Sequence, residues 1–209
     1  MYYEPGKSAH GLPHDPFKAL IVPRPIGWIS SIDRAGVVNL APYSFFNGVA
    51  SDPPIVMFCP SGKPAGKGFK DTRRNVEETG EFVVNVVPHE LRRAMNATSA
   101  PVAAAVDEFA LAGLAPLPAR RVRPPRVAGA PVHLECRYLQ TVELPCDDPA
   151  SSNAVVFGIV IAIHIDDAVI ENGRVDVRRF RPVARLGYMD YATVEDLYAM
   201  ERPSAPPED

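Results

Sequence analysis

Residues Val37–Gly62 read VVNLAPYSFFNGVASDPPIVMFCPSG, and the fold turns on what this stretch does. Its end, PPIVMFCP, is a firm strand bounded by proline on both sides. Before it, Pro42, Tyr43, Ser44, Phe45, Phe46 and Asn47 stand side by side. Aromatics mixed with small polar groups fit neither a helix stripe nor the strict alternation of a strand. They suit a surface for a flat, hydrogen-bonding ring, and the rest of the chain must then supply the other parts of that ligand's site.

Working outward, IGWISSID (Ile26–Asp33) is rich in strand formers, and Arg34, Ala35 and Gly36 turn it into VVNL as a hairpin. FKDTRRNVEETG predicts a short helix that Gly80 terminates. EFVVNVV follows as a strand, then HELRRAMNAT and DEFALAG as helices. PVHLECRYLQTVEL and NAVVFGIVIAIHID are long strands, the second apolar enough to cross a core. AVIENGRVDV is a hairpin with Asn172-Gly173 at its turn. Residues 1–25 form an irregular lead with a turn of helix at DPFKAL, closed by VPRP. TVEDLYAM predicts a C-terminal helix, and ERPSAPPED a frayed tail. Seven or more strands with helices inserted between them, and no internal repeat, favour a closed or partly open β-barrel with helical decorations.

The 209 residues, 46% hydrophobic, suffice for one substantial core, or at most two small ones. A net charge of −3 gives no reason to expect nucleic acid or a membrane as partner. No apolar run reaches the roughly 18 residues of a membrane span, and MYYEPGKSAH lacks the layout of a signal peptide. Cys59, Cys136 and Cys146 are odd in number and far apart, which fits a reducing cytoplasm better than a disulfide scaffold. The 23 prolines, spread between apolar runs, reinforce the reading of many short strands and turns.

The sharpest local anomaly is SGKPAGKGFKDTRRN, Ser61–Asn75. Lys63, Lys67, Lys70, Arg73 and Arg74 crowd the start of a predicted helix, where the helix dipole prefers acidic groups. An anion would offset that cost, and free N–H groups with Lys70 and Thr72 would cradle a phosphate. The plain alternative is a solvated basic face. A nucleoside-triphosphate loop is excluded, because GKPAGKG has the wrong gap and Gly68 stands where Ser or Thr must hold magnesium.

A phosphate at one end and a flat ring at the other suggest a mononucleotide cofactor. PRPIGWISSID, VNLAPYSFFNGVASDPPIVMFCPSG, KDTRRNVEETGEFVVNVV and RPVARLGYMDY, taken in this order, resemble the flavin reductase-like family of FMN-binding split-barrel proteins. The resemblance implies a single, mainly β domain with inserted helices, a split β-barrel of Greek-key type over residues 21–191. Residues 1–20 would be a lead, and 192–209 a C-terminal helix and tail. By position it implies that Arg24, Trp28, Ser30, Ser31, Ser44, Phe46 and Asn47 flank the ring. Ser61, Lys70, Thr72 and Asn75 would hold the phosphate, and Arg185 and Tyr188 of RLGY would reach in from the far end of the chain. It further implies a homodimer with FMN near the subunit interface.

Each candidate has a duller alternative. Trp28 is more often a core aromatic, and Phe45 and Phe46, facing opposite ways on an extended chain, divide into one core and one site residue. Arg185 could pair with a surface carboxylate. His10 and His14 lack the acidic partner and helix that a metal site needs, so no metal is expected. His133, on a predicted strand, is a substrate-side candidate, and Cys59 reads as a small hydrophobe. RRVRPPR (Arg120–Arg126) reads as a solvated connection. No nucleophile triad or carboxylate pair is present, as expected where a flavin carries the chemistry. The expected activity is an FMN-dependent oxidoreductase. It would take hydride from NADH or NADPH and deliver electrons to free flavin, a metal complex or a protein redox partner. A flavoredoxin-like electron carrier reduced by another protein, or a non-catalytic flavin-binding module, are the alternatives.

Overall fold

The computed structural model describes residues 1–62 and 68–203, so Lys63 and Lys67 of the basic loop lie outside the described residues. In chain order the strands are β1 (Arg24–Pro25), β2 (Gly27–Ile32), β3 (Val38–Tyr43), β4 (Phe46–Ser51), β5 (Pro54–Phe58) and β6 (Glu81–Val86). They continue with β7 (Pro116–Leu117), β8 (Arg126–Val127), β9 (Val132–Leu144) and β10 (Asn153–Ile165). The last are β11 (Ile170–Glu171), β12 (Arg174–Val175), β13 (Val183–Arg185) and β14 (Tyr191–Thr193). The helices are α1 (Phe17–Leu20), α2 (Asp71–Thr79), α3 (Arg92–Ala97) and α4 (Glu108–Leu111).

The main sheet has seven strands in the order β3-β2-β6-β9-β10-β5-β4. Its two edge strands, β3 and β4, are consecutive in sequence and joined only by Ser44 and Phe45. Six strand spacings would put flat edges about 29 Å apart, whereas the three Cα steps from Tyr43 to Phe46 reach at most about 11 Å. The sheet therefore has to curl until its edges meet. β3 and β4 meet without pairing, which leaves the barrel split along a seam, and PYSFFN is the segment that crosses it.

Strand alternation fills two cores. Ile29, Phe58, Phe82, Val84, Cys136 and Val156 pack inside the barrel with Val76 of α2. Trp28, Leu40, Val87, Met95, Phe109 and Val127 pack on the other side of β2, β3 and β6, under α3 and α4. β2 is thus buried on both faces. Ser30 and Ser31 have no exposure, and the Trp28 Nε1–H donates to Thr98 Oγ1 at 2.9 Å. Gly80, with φ of 76°, caps α2 through its N–H to Val76 O. Asn172 and Gly173, both at positive φ, turn β11 into β12.

The expected C-terminal helix is absent. Tyr191–Thr193 instead pairs with Val183–Arg185, Val194 N–H donates to Pro182 O, and residues 194–203 run on without helix. A helix of two turns with no packed face does not compete with a ladder already available. The helix expected over HELRRAMNAT splits into a 3-10 turn and α3, and that over DEFALAG shrinks to the four residues of α4.

Gly158 on β10 marks the tightest packing. A Cβ there would lie 2.3 Å from Phe82 Cζ, on a ring that is itself fully buried. Gly158→Ala is expected to destabilise the barrel by about 1–3 kcal/mol, the usual cost of overpacking, read as a lowered urea midpoint.

Candidate functional site

The seam opens into a cavity of about 860 Å³, within the range of small-molecule sites. One wall is the seam segment itself, Pro42, Tyr43, Ser44 and Phe45, continued by Cys59 and Ser61 after β5. A second wall is the N-terminal lead, which contributes His14, Asp15 and Lys18. The third is the turn after β13, with Arg185, Tyr188, Met189 and Tyr191. A smaller cavity of about 230 Å³ adjoins it across Pro42, Tyr43, Lys70 and Ser99, and is lined further by Asn39, Thr72 and Glu108.

Arg24 holds the second and third walls together. Its buried guanidinium donates to the carbonyls of Lys18, Ile21 (2.6 Å) and Leu186 (2.7 Å). Those carbonyls come from both ends of the chain. The same contact needs Gly187, because a Cβ there would meet Ala19 Cβ at 2.4 Å. Arg24 thus lines the cavity as expected, and its Nη groups are committed to building it.

Among the described residues, four cations, Lys18, Arg24, Lys70 and Arg185, line this space against one carboxylate, Asp15. Burial, and then the charge of Lys18, lower the pKa of Lys70. Both causes favour an anion between the two lysines. Lys70 Nζ also lies 5.6 Å from the Tyr43 ring centroid. The two arginines of the basic crowd are answered internally: Arg73 pairs with Glu77 (2.8 Å) and Glu143, and Arg74 with Asp71 (2.7 Å). Arg185 donates to Tyr191 OH and Tyr188 O and sits 4.4 Å from the Tyr191 ring centroid, rather than pairing with a carboxylate.

Of the residues read from sequence, Arg24, Ser44, Ser61, Lys70, Arg185 and Tyr188 come together on the large cavity. Thr72 lines only the small one, its hydroxyl donating to Asn39 Oδ1 at 3.1 Å. Trp28, Ser30, Ser31 and Asn75 are interior and line neither, since β2 is covered on both faces and Asn75 Nδ2 donates to Ser31 Oγ. Phe45 and Phe46 divide as alternation demands, but with roles exchanged: Phe45 faces the cavity and Phe46 packs on the barrel core. Asn47 lies exposed on edge strand β4, its Oδ1 accepting from Gly48 N–H. Lys18, His14, Tyr43, Met189 and Tyr191 were missed. Cys59 is half-buried on the cavity wall, where burial raises its pKa and keeps it a thiol. Among the described residues no cluster of three or more His, Cys, Asp or Glu could hold a metal.

His133 is a core residue, 4% exposed and outside both cavities. Asn85 Oδ1 accepts from Val127 N–H while Asn85 Nδ2 donates to Trp28 O, so at 2.8 Å the His133 Nδ1 carries a proton and donates to that oxygen. Across the ladder, His164 and the N–H groups of Arg120 and Arg121 reach the fully buried Glu135. Burial alone would raise the Glu135 pKa, but these donors outweigh it and hold the carboxyl below its ordinary value.

With this geometry in place, the chain belongs to the flavin reductase like domain family, which matches residues 19–188. Nitrilotriacetate monooxygenase component B from Bacillus cereus is 30% identical and superposes with a TM-score of 0.85 over 96% of this chain and 98% of its own. The 2-nitrobenzoate 2-nitroreductase NbaA of Pseudomonas fluorescens is 27% identical, with a TM-score of 0.79 over 92% and 91%. A flavin reductase with split barrel domain from Shewanella frigidimarina NCIMB 400, 21% identical with a TM-score of 0.77 over 90% of each chain, shares the fold. The split barrel and the flavin reductase-like class are thereby established. No helix among the described residues is long and apolar enough to cross a membrane.

Burial of His133, then the nearby charges of Arg126 and His164, push its pKa from 6.5 down to about 4. The unfolded chain therefore takes up a proton that the folded chain refuses. Stability contributed by neutral His133 is complete above about pH 6.5 and falls as pH drops toward 4. Glu135 adds its loss only below its ordinary 4.5. In His133→Gln the urea midpoint is expected to depend less steeply on pH between 6.5 and 4.5, with flavin affinity unchanged. An unchanged slope would contradict the lowered pKa, and a weakened flavin affinity would return His133 to the list of site residues.

Proposed function

We infer that the protein is an FMN-dependent oxidoreductase, taking electrons from NADH or NADPH and passing them to free flavin, a metal complex or a protein acceptor. The carrying observation is the seam cavity, with aromatic side chains on two walls and four cations facing one carboxylate. An uncompensated cationic lining of that kind suits a planar ring bearing a phosphate. Membership of the flavin reductase-like family supports the same choice, as do the monooxygenase component and the nitroreductase to which the chain is similar.

Bound flavin would supply the hydride and electron chemistry; the chain's own residues bind, orient and screen. Lys70 and Lys18 would take the phosphate, with the Ser61 hydroxyl as a further donor. Phe45 and Tyr43 would wall the ring on the seam side. Arg185, held by Tyr188 and Tyr191, would place positive charge where a reduced ring accumulates negative charge. Thr72 would act one step removed, orienting Asn39 in the small cavity. Exposed apolar side chains on β9 and β10, Leu139, Val142, Leu144, Ile163 and Ile165, favour a homodimer that covers them.

Lys70→Ala is expected to weaken FMN binding about ten- to a hundredfold, the loss of a hydrogen bond to a charged group, while riboflavin affinity changes much less. Fluorescence titration of both ligands against wild type and variant measures this. Equal losses for the two flavins would remove Lys70 from the phosphate.

A further inference from the structure

Beyond Arg185 and Tyr191 the flavin cavity does not end. A further cavity of about 570 Å³ opens from the same wall and shares Met95, Asn96, Arg185, Met189 and Tyr191 with it. Its remaining polar lining comes from His89, Arg92, Arg93 and Thr193, carried by the 3-10 turn before α3, by α3 itself and by β14. Three arginines and a histidine thus surround one space, and no carboxylate is among the described residues lining it.

Six arginines elsewhere in the chain are answered by carboxylates. Arg34, Arg73, Arg74, Arg123, Arg179 and Arg181 each have a carboxylate within 4 Å. Among the described residues, Arg92, Arg93 and Arg185 form no ion pair. Arg92 donates to the His89 carbonyl at 2.8 Å, and Arg185 to a hydroxyl and a carbonyl of its own turn. Their charges gather around a concavity, where low-dielectric walls concentrate the positive potential. Guanidinium forks match phosphate oxygens in pairs, and 570 Å³ is far more than one phosphate needs.

We propose that this cavity is the anion subsite for the pyrophosphate of the dinucleotide donor, with Arg92 and Arg93 as its principal contacts. This rests on the reading of the adjoining cavity as the flavin site. A donor must bring its reacting ring to the flavin, and its phosphates must then lie in a neighbouring compartment. The shared wall of Arg185, Met189 and Tyr191 makes the two spaces contiguous. Contacts made far from the reacting atoms orient a substrate without touching the chemistry. Arg92 and Arg93 are in that sense specificity residues, while Arg185 borders both compartments.

The test compares FMN-loaded wild type with an Arg92→Gln/Arg93→Gln double variant. ADP, which carries the same pyrophosphate group, is titrated into both by calorimetry, and NADH and NADPH oxidation is followed alongside. Expected are ADP binding weakened about tenfold or more in the variant, with KM for the nicotinamide raised by a similar factor, kcat retained and FMN affinity unchanged. Equal ADP affinity in the two proteins, or none in either, would overturn the subsite whatever the activity. A loss confined to FMN would overturn it too, by assigning the arginines to the cofactor's own phosphate. ADP binding lost in the variant, in a protein that binds FMN but oxidises neither nicotinamide, would uphold the phosphate subsite and defeat the functional reading instead.

Discussion

Two residues, Ser44 and Phe45, have to connect the opposite edges of a seven-stranded sheet. That covalent constraint makes the barrel, and because β3 and β4 meet without pairing it also makes the seam. A seam in a β-barrel exposes edges that need covering. Here the chain covers them with its own extremities. α1 and the lead come from one side, the turn after β13 from the other, and Arg24 fixes both by donating to carbonyls of Lys18, Ile21 and Leu186. The cavity is what lies between the seam and these covers.

Electrostatics then set what the cavity accepts. The arginines at the start of α2 are neutralised by Glu77, Glu143 and Asp71, so among the described residues the positive charge facing the cavity is that of Lys18, Lys70, Arg24 and Arg185. Lys70 is half-buried beside Tyr43 and is pushed down in pKa by burial and by Lys18. An anion between the two lysines relieves both penalties. An anionic, partly apolar, planar ligand is the class that satisfies this lining, and a flavin mononucleotide is a member of it.

Much of the barrel could be read from the sequence because NAVVFGIVIAIHID is apolar over nearly its whole length and the turns carry explicit chemistry, as at Gly80 and Asn172-Gly173. β4 escaped notice because Asn47–Ser51 is an exposed edge strand with no apolar alternation to reveal it. The C-terminal helix was expected from composition, but pairing with β13 took Tyr191–Thr193. Within the site, alternation separated Phe45 from Phe46 but could not say which faced the cavity, since the side of the seam on which the cavity lies is set by long-range folding. The core alternative weighed for Trp28 was the right one, but nothing in IGWISSID marked Ser30 and Ser31 as interior, because β2 is buried on both faces. Lys18 and His14 sit in a lead without periodicity, and only long-range folding brings them to Lys70 and Tyr188.

The central claim is that the binding cavity exists because the two ends of the chain are pressed together at Gly187 and Ala19. Equilibrium titration of Gly187→Ala with FMN tests it most directly. The added methyl cannot be accommodated 2.4 Å from Ala19 Cβ, and at the 1–3 kcal/mol that overpacking costs, affinity is expected to fall by about five- to a hundredfold. The atoms nearest that methyl belong to Ala19 of the lead, whereas at Gly158 they belong to the buried Phe82 ring, so the urea midpoint should move far less than it does for Gly158→Ala. FMN affinity equal to wild type in Gly187→Ala would contradict the account, because the site would then be independent of the walls said to form it.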